Sequence, residues 1–226
     1  MKIKSNFAVL GSLLIASVSA NAAVTFGTSS AVTYTTTAVN TAGSQVFAYN
    51  ADAAVGSTTE GGVTWTNFTS ATLPADVTLF GGAATDDTTN GAGGAADLAN
   101  DRVFGGASGL LSIAGLADGD YVLQMMMSDT RALGGTNNLT ADFGATTAGG
   151  TADETISVGG TGGLITVEFN VTAGTTANVY LEQVTGVGTF SGGVSALQLR
   201  NVTVPEPSST ALLGLGGLAL ILRRRK

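Results

Sequence analysis

Cysteine and histidine are absent from this 226-residue chain, and proline occurs only three times. Without those first two residues, no zinc finger, Ser-His-Asp or Cys-His catalytic set, histidine- or cysteine-ligated haem, or disulfide framework can be assembled. Charge is also scarce, at 11% of residues against a usual share of about 25%. Lysine occurs only as Lys2, Lys4 and Lys226, so the interior of the chain has none for a P-loop, a Schiff base or a kinase-type ATP site. Any catalysis would fall to carboxylates, hydroxyls and arginine. What the chain does have is glycine, 33 residues, about twice the average share.

The few charges are unevenly placed. Lys2 and Lys4 stand at the start and Arg223, Arg224, Arg225 and Lys226 at the finish. Between Ala23 and Val204 only Arg102, Arg131 and Arg200 oppose fifteen acidic residues, a net −12. A body so charged repels phosphate backbones, which excludes nucleic acid as a partner.

Met1-Lys2-Ile3-Lys4 precedes an apolar run from Phe7 to Val18, and small residues follow through Ala20-Asn21-Ala22. Basic start, short apolar centre and A-x-A end, in that order, make residues 1–22 a secretory signal peptide, with signal peptidase expected to cut after Ala22. At the other end Val204-Pro205-Glu206-Pro207-Ser208-Ser209 leads into an apolar stretch, Thr210 to Leu222, closed by the basic cluster Arg223, Arg224, Arg225 and Lys226. As a helix, Ser208 to Leu222 would be about 22 Å long, short of a hydrocarbon core of about 30 Å; basic snorkelling and local thinning close such a gap. The basic cluster acts as a stop-transfer element and keeps the extreme end cytoplasmic, so the acidic body faces outward. The two prolines beside Glu206 hold that segment extended, the conformation a protease needs.

This three-part arrangement in residues 204–226 resembles the PEP-CTERM protein-sorting signal of Gram-negative bacteria. The resemblance implies recognition at Pro205, Glu206 and Pro207 by an exosortase, a membrane transpeptidase-like protease. It also implies passage through the inner membrane with only transient anchoring there, then release or transfer to an acceptor at the cell surface or in the extracellular matrix. No Leu-Pro-x-Thr-Gly sequence precedes the apolar stretch, so the Gram-positive sortase signal does not apply.

Residues 23–203 read as short strands with glycine-rich punctuation. Strands are expected at Ala31 to Thr37, Val46 to Asn50, Gly62 to Thr69, Val77 to Phe80, Leu110 to Leu116, Asp120 to Ser128, Leu139 to Phe143, Leu164 to Val171, Ala177 to Val184 and Val194 to Val202. Val167, Phe169 and Val171 alternate with Thr166, Glu168, Asn170 and Thr172, which gives one dry and one wet face. The strand through Tyr121, Leu123, Met125 and Met127 is apolar on both faces and so is expected to be central. The segment Gly81 to Ala99 reads as a polar loop. The fold class expected is all-β, a single antiparallel β-sandwich or jelly roll. Ile113 to Gln124, Ser128-Asp129-Thr130-Arg131 and Ala196 to Arg200 are similar to a pattern in exported, carbohydrate-binding-like jelly-roll modules, which implies the same fold.

Three sets of residues are candidates for chemistry. Loop carboxylates at Asp86, Asp87, Asp97 and Asp101, with Asp118, Asp120 and Asp153-Glu154 elsewhere, are oxygen ligands suited to Ca²⁺, although none has the EF-hand spacing and all also suit solvated turns. Trp65, with Tyr34, Tyr49, Tyr121 and Tyr180, offers flat faces for stacking on a sugar, although a lone strand tryptophan more often belongs to a core. A carboxylate pair about 5 to 9.5 Å apart would serve glycoside hydrolysis. The reading that follows is a non-catalytic structural or adhesive protein of the envelope or matrix in contact with exopolysaccharide. The alternatives are a carbohydrate-binding module and, third, a secreted glycoside hydrolase.

Overall fold

The computed structural model describes residues 23–32, 34–52, 56–72, 75–80, 85–87, 102–104, 108–127, 138–158, 163–172, 174–185 and 193–203. Among them the strands are β1 (Ala23–Val32), β2 (Ser44–Ala51), β3 (Ser57–Glu60), β4 (Val63–Phe68), β5 (Val77–Leu79), β6 (Thr85–Asp87), β7 (Arg102–Phe104), β8 (Ser108–Ile113), β9 (Gly119–Met127), β10 (Asn138–Phe143), β11 (Glu154–Val158), β12 (Gly163–Thr172), β13 (Ala177–Thr185), β14 (Gly193–Val194) and β15 (Ala196–Asn201). The chain is an all-β protein whose two main sheets pack face to face as a sandwich. The larger sheet has the order β1-β12-β9-β15-β2-β4-β3 and the smaller β11-β10-β13-β8-β5, while β14-β7-β6 form a small third sheet.

The alternating residues of β12 explain its place. Val167, Phe169 and Val171 point into the core and are buried, whereas Glu168 and Asn170 face solvent. Tyr121, Leu123, Met125 and Met127 of β9 join them, facing Leu139, Ala141 and Phe143 of β10 and Val179 and Leu181 of β13 across the sandwich. Phe26 stacks obliquely on Phe169 at 5.0 Å and on Phe143 of the opposite sheet at 5.4 Å, tying the two layers together. Such aromatic pairs contribute about 0.5–1.5 kcal/mol beyond the area they bury.

The outer face of the larger sheet is also covered, which accounts for the doubly apolar β9. Residues 34–43 cross it as a strap and pack Val39, Ala38 and Tyr34 onto Val63, Trp65, Met126, Leu164 and Ala196. Within the strap, Thr36–Ala38 form one 3-10 turn, closed by Ala38 N donating to Thr35 O at 2.9 Å. The strand expected over Ala31 to Thr37 is therefore corrected: β1 ends at Val32, and the chain turns to lay Ala38 and Val39 on the sheet. The loop expected from Gly81 to Ala99 contains β6, which pairs antiparallel with β7. Among the described residues the ladders are antiparallel except that β2 and β4 run parallel.

Candidate functional site

The geometry bearing most directly on function lies where the body meets its C-terminal segment. β15 is the fourth of seven strands, paired over six residues with β9 and over six with β2. Its outward face carries polar groups that hold the strap. Gln198 and Gln124 face each other in register, and Gln198 Nε2 donates to Gln124 Oε1 at 2.6 Å and to Asn40 O at 3.0 Å. Gln124 Nε2 donates to Ala38 O at 3.0 Å and to Thr166 Oγ1 at 2.8 Å, while its Oε1 accepts Asn40 N at 2.7 Å. One buried atom of this network, Gln198 Oε1, has no hydrogen-bond partner among the described residues.

Arg200, only 8% exposed, completes the clasp. Its Nε donates to Ala42 O at 2.6 Å and its Nη2 to Thr41 O at 2.9 Å and Gly43 O at 2.8 Å. A guanidinium suits this task because its donors form a fixed fork. Beyond β15, Val202 N donates to Asp120 O at 2.8 Å, and Thr203 Oγ1 accepts Asp120 N at 2.8 Å. Gly119, at φ 151°, leaves room for that hydroxyl: a β-carbon there would overlap Thr203 Oγ1. The last described residue is thus pinned to the sheet, two positions before Pro205.

Both ends of the body lie together. Ala23 registers with Thr172 and Val171 with Gly119, while Asn201 registers with Tyr121. The start of β1 and the finish of β15 are therefore at the same end of the sheet, three strand spacings or about 14 Å apart.

The candidate site residues fall unevenly on this frame. Trp65 is corrected as a sugar platform: at 1% exposure it lies under the strap, with Nε1 donating to Glu60 O at 3.1 Å. Tyr34 packs beside it and donates its hydroxyl to Glu60 Oε1. Tyr121 is buried, stacks on Phe169 at 5.4 Å and donates its hydroxyl to Ala117 O. Burial, and then the Asp76 carboxylate, raise the pKa of Tyr49 above the ordinary tyrosine value.

The described carboxylates act largely as staples. Asp118 Oδ1 accepts Gly174 N at 3.0 Å, Asp120 Oδ1 accepts Asn170 Nδ2 at 2.8 Å, and Asp142 Oδ1 accepts Thr155 Oγ1 at 2.7 Å. Asp153 Oδ2 accepts Phe26 N at 3.2 Å, and Glu154 Oε1 accepts both Ser29 N at 3.1 Å and Ser29 Oγ at 2.9 Å. These two side chains cap outward amides of edge strand β1 on either side of its bulge between Phe26 and Ser29. The two Ser29 hydrogen bonds hold Glu154 below its ordinary pKa, against a smaller opposing effect of desolvation. Among the described residues, no three carboxylates gather as a metal site. Of the calcium candidates, Asp86 and Asp87 lie on β6, and Asp97 and Asp101 lie outside the described residues. So do Ala20 and Ala22, Pro205, Glu206 and Pro207, and Arg223 to Lys226.

Gln124, Gln198 and Arg200 lie within the segments Ile113 to Gln124 and Ala196 to Arg200, and Thr203 opens the C-terminal segment, but motif reading assigns none of them a role. A signal is nonetheless present: two glutamines and an arginine interrupt strands that are otherwise apolar on both faces, which requires partners beyond the sheet.

Residues 203–226 match the family described as the PEP-CTERM protein-sorting motif. A motif of this kind places the chain among exported proteins sorted to the cell surface by an exosortase. No curated protein and no solved structure matches the chain.

Proposed function

We propose that this protein is a non-catalytic structural or adhesive component of the cell surface or extracellular matrix, exported with its signal peptide removed and sorted through its C-terminal segment. One observation carries the reading: the sorting motif at residues 203–226 begins at the pinned end of the central strand of an acidic sandwich. Such a body tolerates attachment by its end because the core is closed on both faces of the larger sheet. Contact with exopolysaccharide belongs to this reading. The body's net charge of −12 favours neutral over acidic glycans as partners, and half-buried Tyr180 on the smaller sheet, in register with Asp142 of β10 and Leu110 of β8, is the aromatic side chain offered to them.

The test combines two measurements on the processed protein recovered from the cell surface. Incubated with the producing bacterium's own polysaccharide, it should release no new reducing ends, and deleting its gene should weaken cohesion of the surface layer. Steady release of reducing ends would overturn the non-catalytic reading and favour a glycoside hydrolase. Tight, saturable binding to one defined glycan on an array, with cohesion unchanged, would favour a dedicated carbohydrate-binding module instead.

A further inference from the structure

We propose that β15 is built to carry tension: the fold is arranged so that a pull on the C-terminal segment is resisted in shear by the centre of the larger sheet. The proposal rests on the reading that the protein is retained through that segment. Residues 203–226 continue β15 in sequence, so any pull on them enters the body along the axis of this strand. An edge strand would then peel away one pair at a time. β15 instead has antiparallel neighbours on both sides, with six registered pairs to β9 and six to β2, the latter shifted in register between Leu199 and Arg200, and an axial pull strains both ladders at once.

Three further ties lie at the end where the pull arrives. Arg200 grips three successive carbonyls of the strap, the backbone of Val202 donates to Asp120 O, and the Thr203 hydroxyl accepts Asp120 N. To slide toward its C-terminus, β15 must break the Arg200 fork, and the Gln198 contacts to Asn40 and Gln124 with it. The N-terminal strand has the opposite design. Among the described strands β1 is an edge paired only with β12, interrupted by a bulge between Phe26 and Ser29, and its start bears no load once the signal peptide is gone. The weakly held terminus is the free one, and the strongly held terminus is the tethered one.

The test is single-molecule pulling on the full-length chain in detergent. The chain has no cysteine, so introduced cysteines are unique handles. In one geometry, Thr161→Cys with Val204→Cys pulls β12 from its N-terminal end against β15 from its C-terminal end; these strands run parallel on either side of β9, so the pull is shear. In the other, Ala23→Cys with Val204→Cys draws apart the start of β1 and the finish of β15, which lie at the same end of the sheet, and peels β1.

The expected result is a first-rupture force at least about twofold higher in shear than in peeling, because forced unfolding reports the barrier along the pulled direction. Arg200→Lys, and Arg200→Ala where it folds, should lower the shear force and leave the first peeling rupture unchanged. Equal forces in the two geometries would overturn the proposal, as would a shear force unaffected by Arg200→Lys. Because the handles bypass processing, this outcome is separate from whether the tail is cut in cells, which precursor processing measures independently.

Discussion

Replacing Trp65 tests whether the covered outer face holds the fold together or serves a ligand. The indole is 1% exposed, sits among Val39, Val63 and Leu164 and donates to Glu60 O at 3.1 Å. Trp65→Ala removes the ring from a packed site, which costs about 3–5 kcal/mol, and the lost hydrogen bond adds about 0.5–1.5 kcal/mol. Trp65→Phe keeps most of the volume and loses the bond, for about 1–3 kcal/mol in total. At about 2–4 °C per kcal/mol for a domain of this size, the alanine variant should melt roughly 7–26 °C below the parent. Denaturant titration followed by far-ultraviolet circular dichroism measures both variants. The parent's single tryptophan adds an independent readout, since its native emission should be that of a buried indole and should not respond to glycans. A cost below about 1 kcal/mol for Trp65→Ala, the range of an ordinary surface substitution, would refute the burial of this ring, and quenching of native emission by a sugar would restore Trp65 as a stacking platform.

The capped edge gives a second test. Replacing Asp153 and Glu154 together with alanine frees the Phe26 and Ser29 amides on a ten-residue edge strand, so light scattering should detect concentration-dependent self-association; a monomer at every concentration would contradict it. Glu154 alone sets a pH effect. Its pKa is lowered in the folded state from 4.5, so its contribution is complete above that value and is lost as pH falls through the lower folded value. Glu154→Gln should therefore remove part of the acid-side loss of stability seen in the parent. Finally, Gly109→Ala places a β-carbon into the Phe80 ring, whose backbone is held at φ 54°. The overpacking should cost about 1–3 kcal/mol in a denaturant titration.

Elements whose side chains alternate strongly are legible in the sequence. β12 is the clearest, because Val167, Phe169 and Val171 specify both the strand and its buried face, and β9 is central because its two faces each find a cover. Most of β1 is not legible, because Gly27, Ser29 and Ser30 lack strand preference; tertiary pairing with β12 supplies what local propensity does not. β3 escapes the pattern although Gly61 and Gly62 mark it: both have positive φ, at 61° and 77°, in the two-residue hairpin turn from Glu60 to Val63. The strap reads as strand because Thr33 to Thr37 are good strand formers, while its actual course is dictated by long-range partners, Gln124, Gln198 and Arg200. The sorting segment is fully legible, since its meaning lies in local order: Pro-Glu-Pro, apolar stretch, basic cluster. The burial of Trp65 accords with the usual place of a lone strand tryptophan, but its cover is not legible, because a strap from elsewhere in the chain leaves no mark in the residues around it.

Whether Pro205, Glu206 and Pro207 direct an exported sandwich to processing and surface retention is measured most directly by the ratio of full-length to shortened protein in membrane and extracellular fractions of the producing bacterium. The comparison is between the parent, a variant with all three residues replaced by alanine, and a strain without its exosortase. The apolar stretch and the basic cluster are untouched by the triple substitution, so membrane insertion is preserved. Full-length, membrane-bound precursor is expected both in the variant and in the exosortase-deficient strain, and shortened protein only in the parent. Equal shortening of parent and variant would contradict recognition at these three residues and leave a sandwich held by an ordinary membrane anchor.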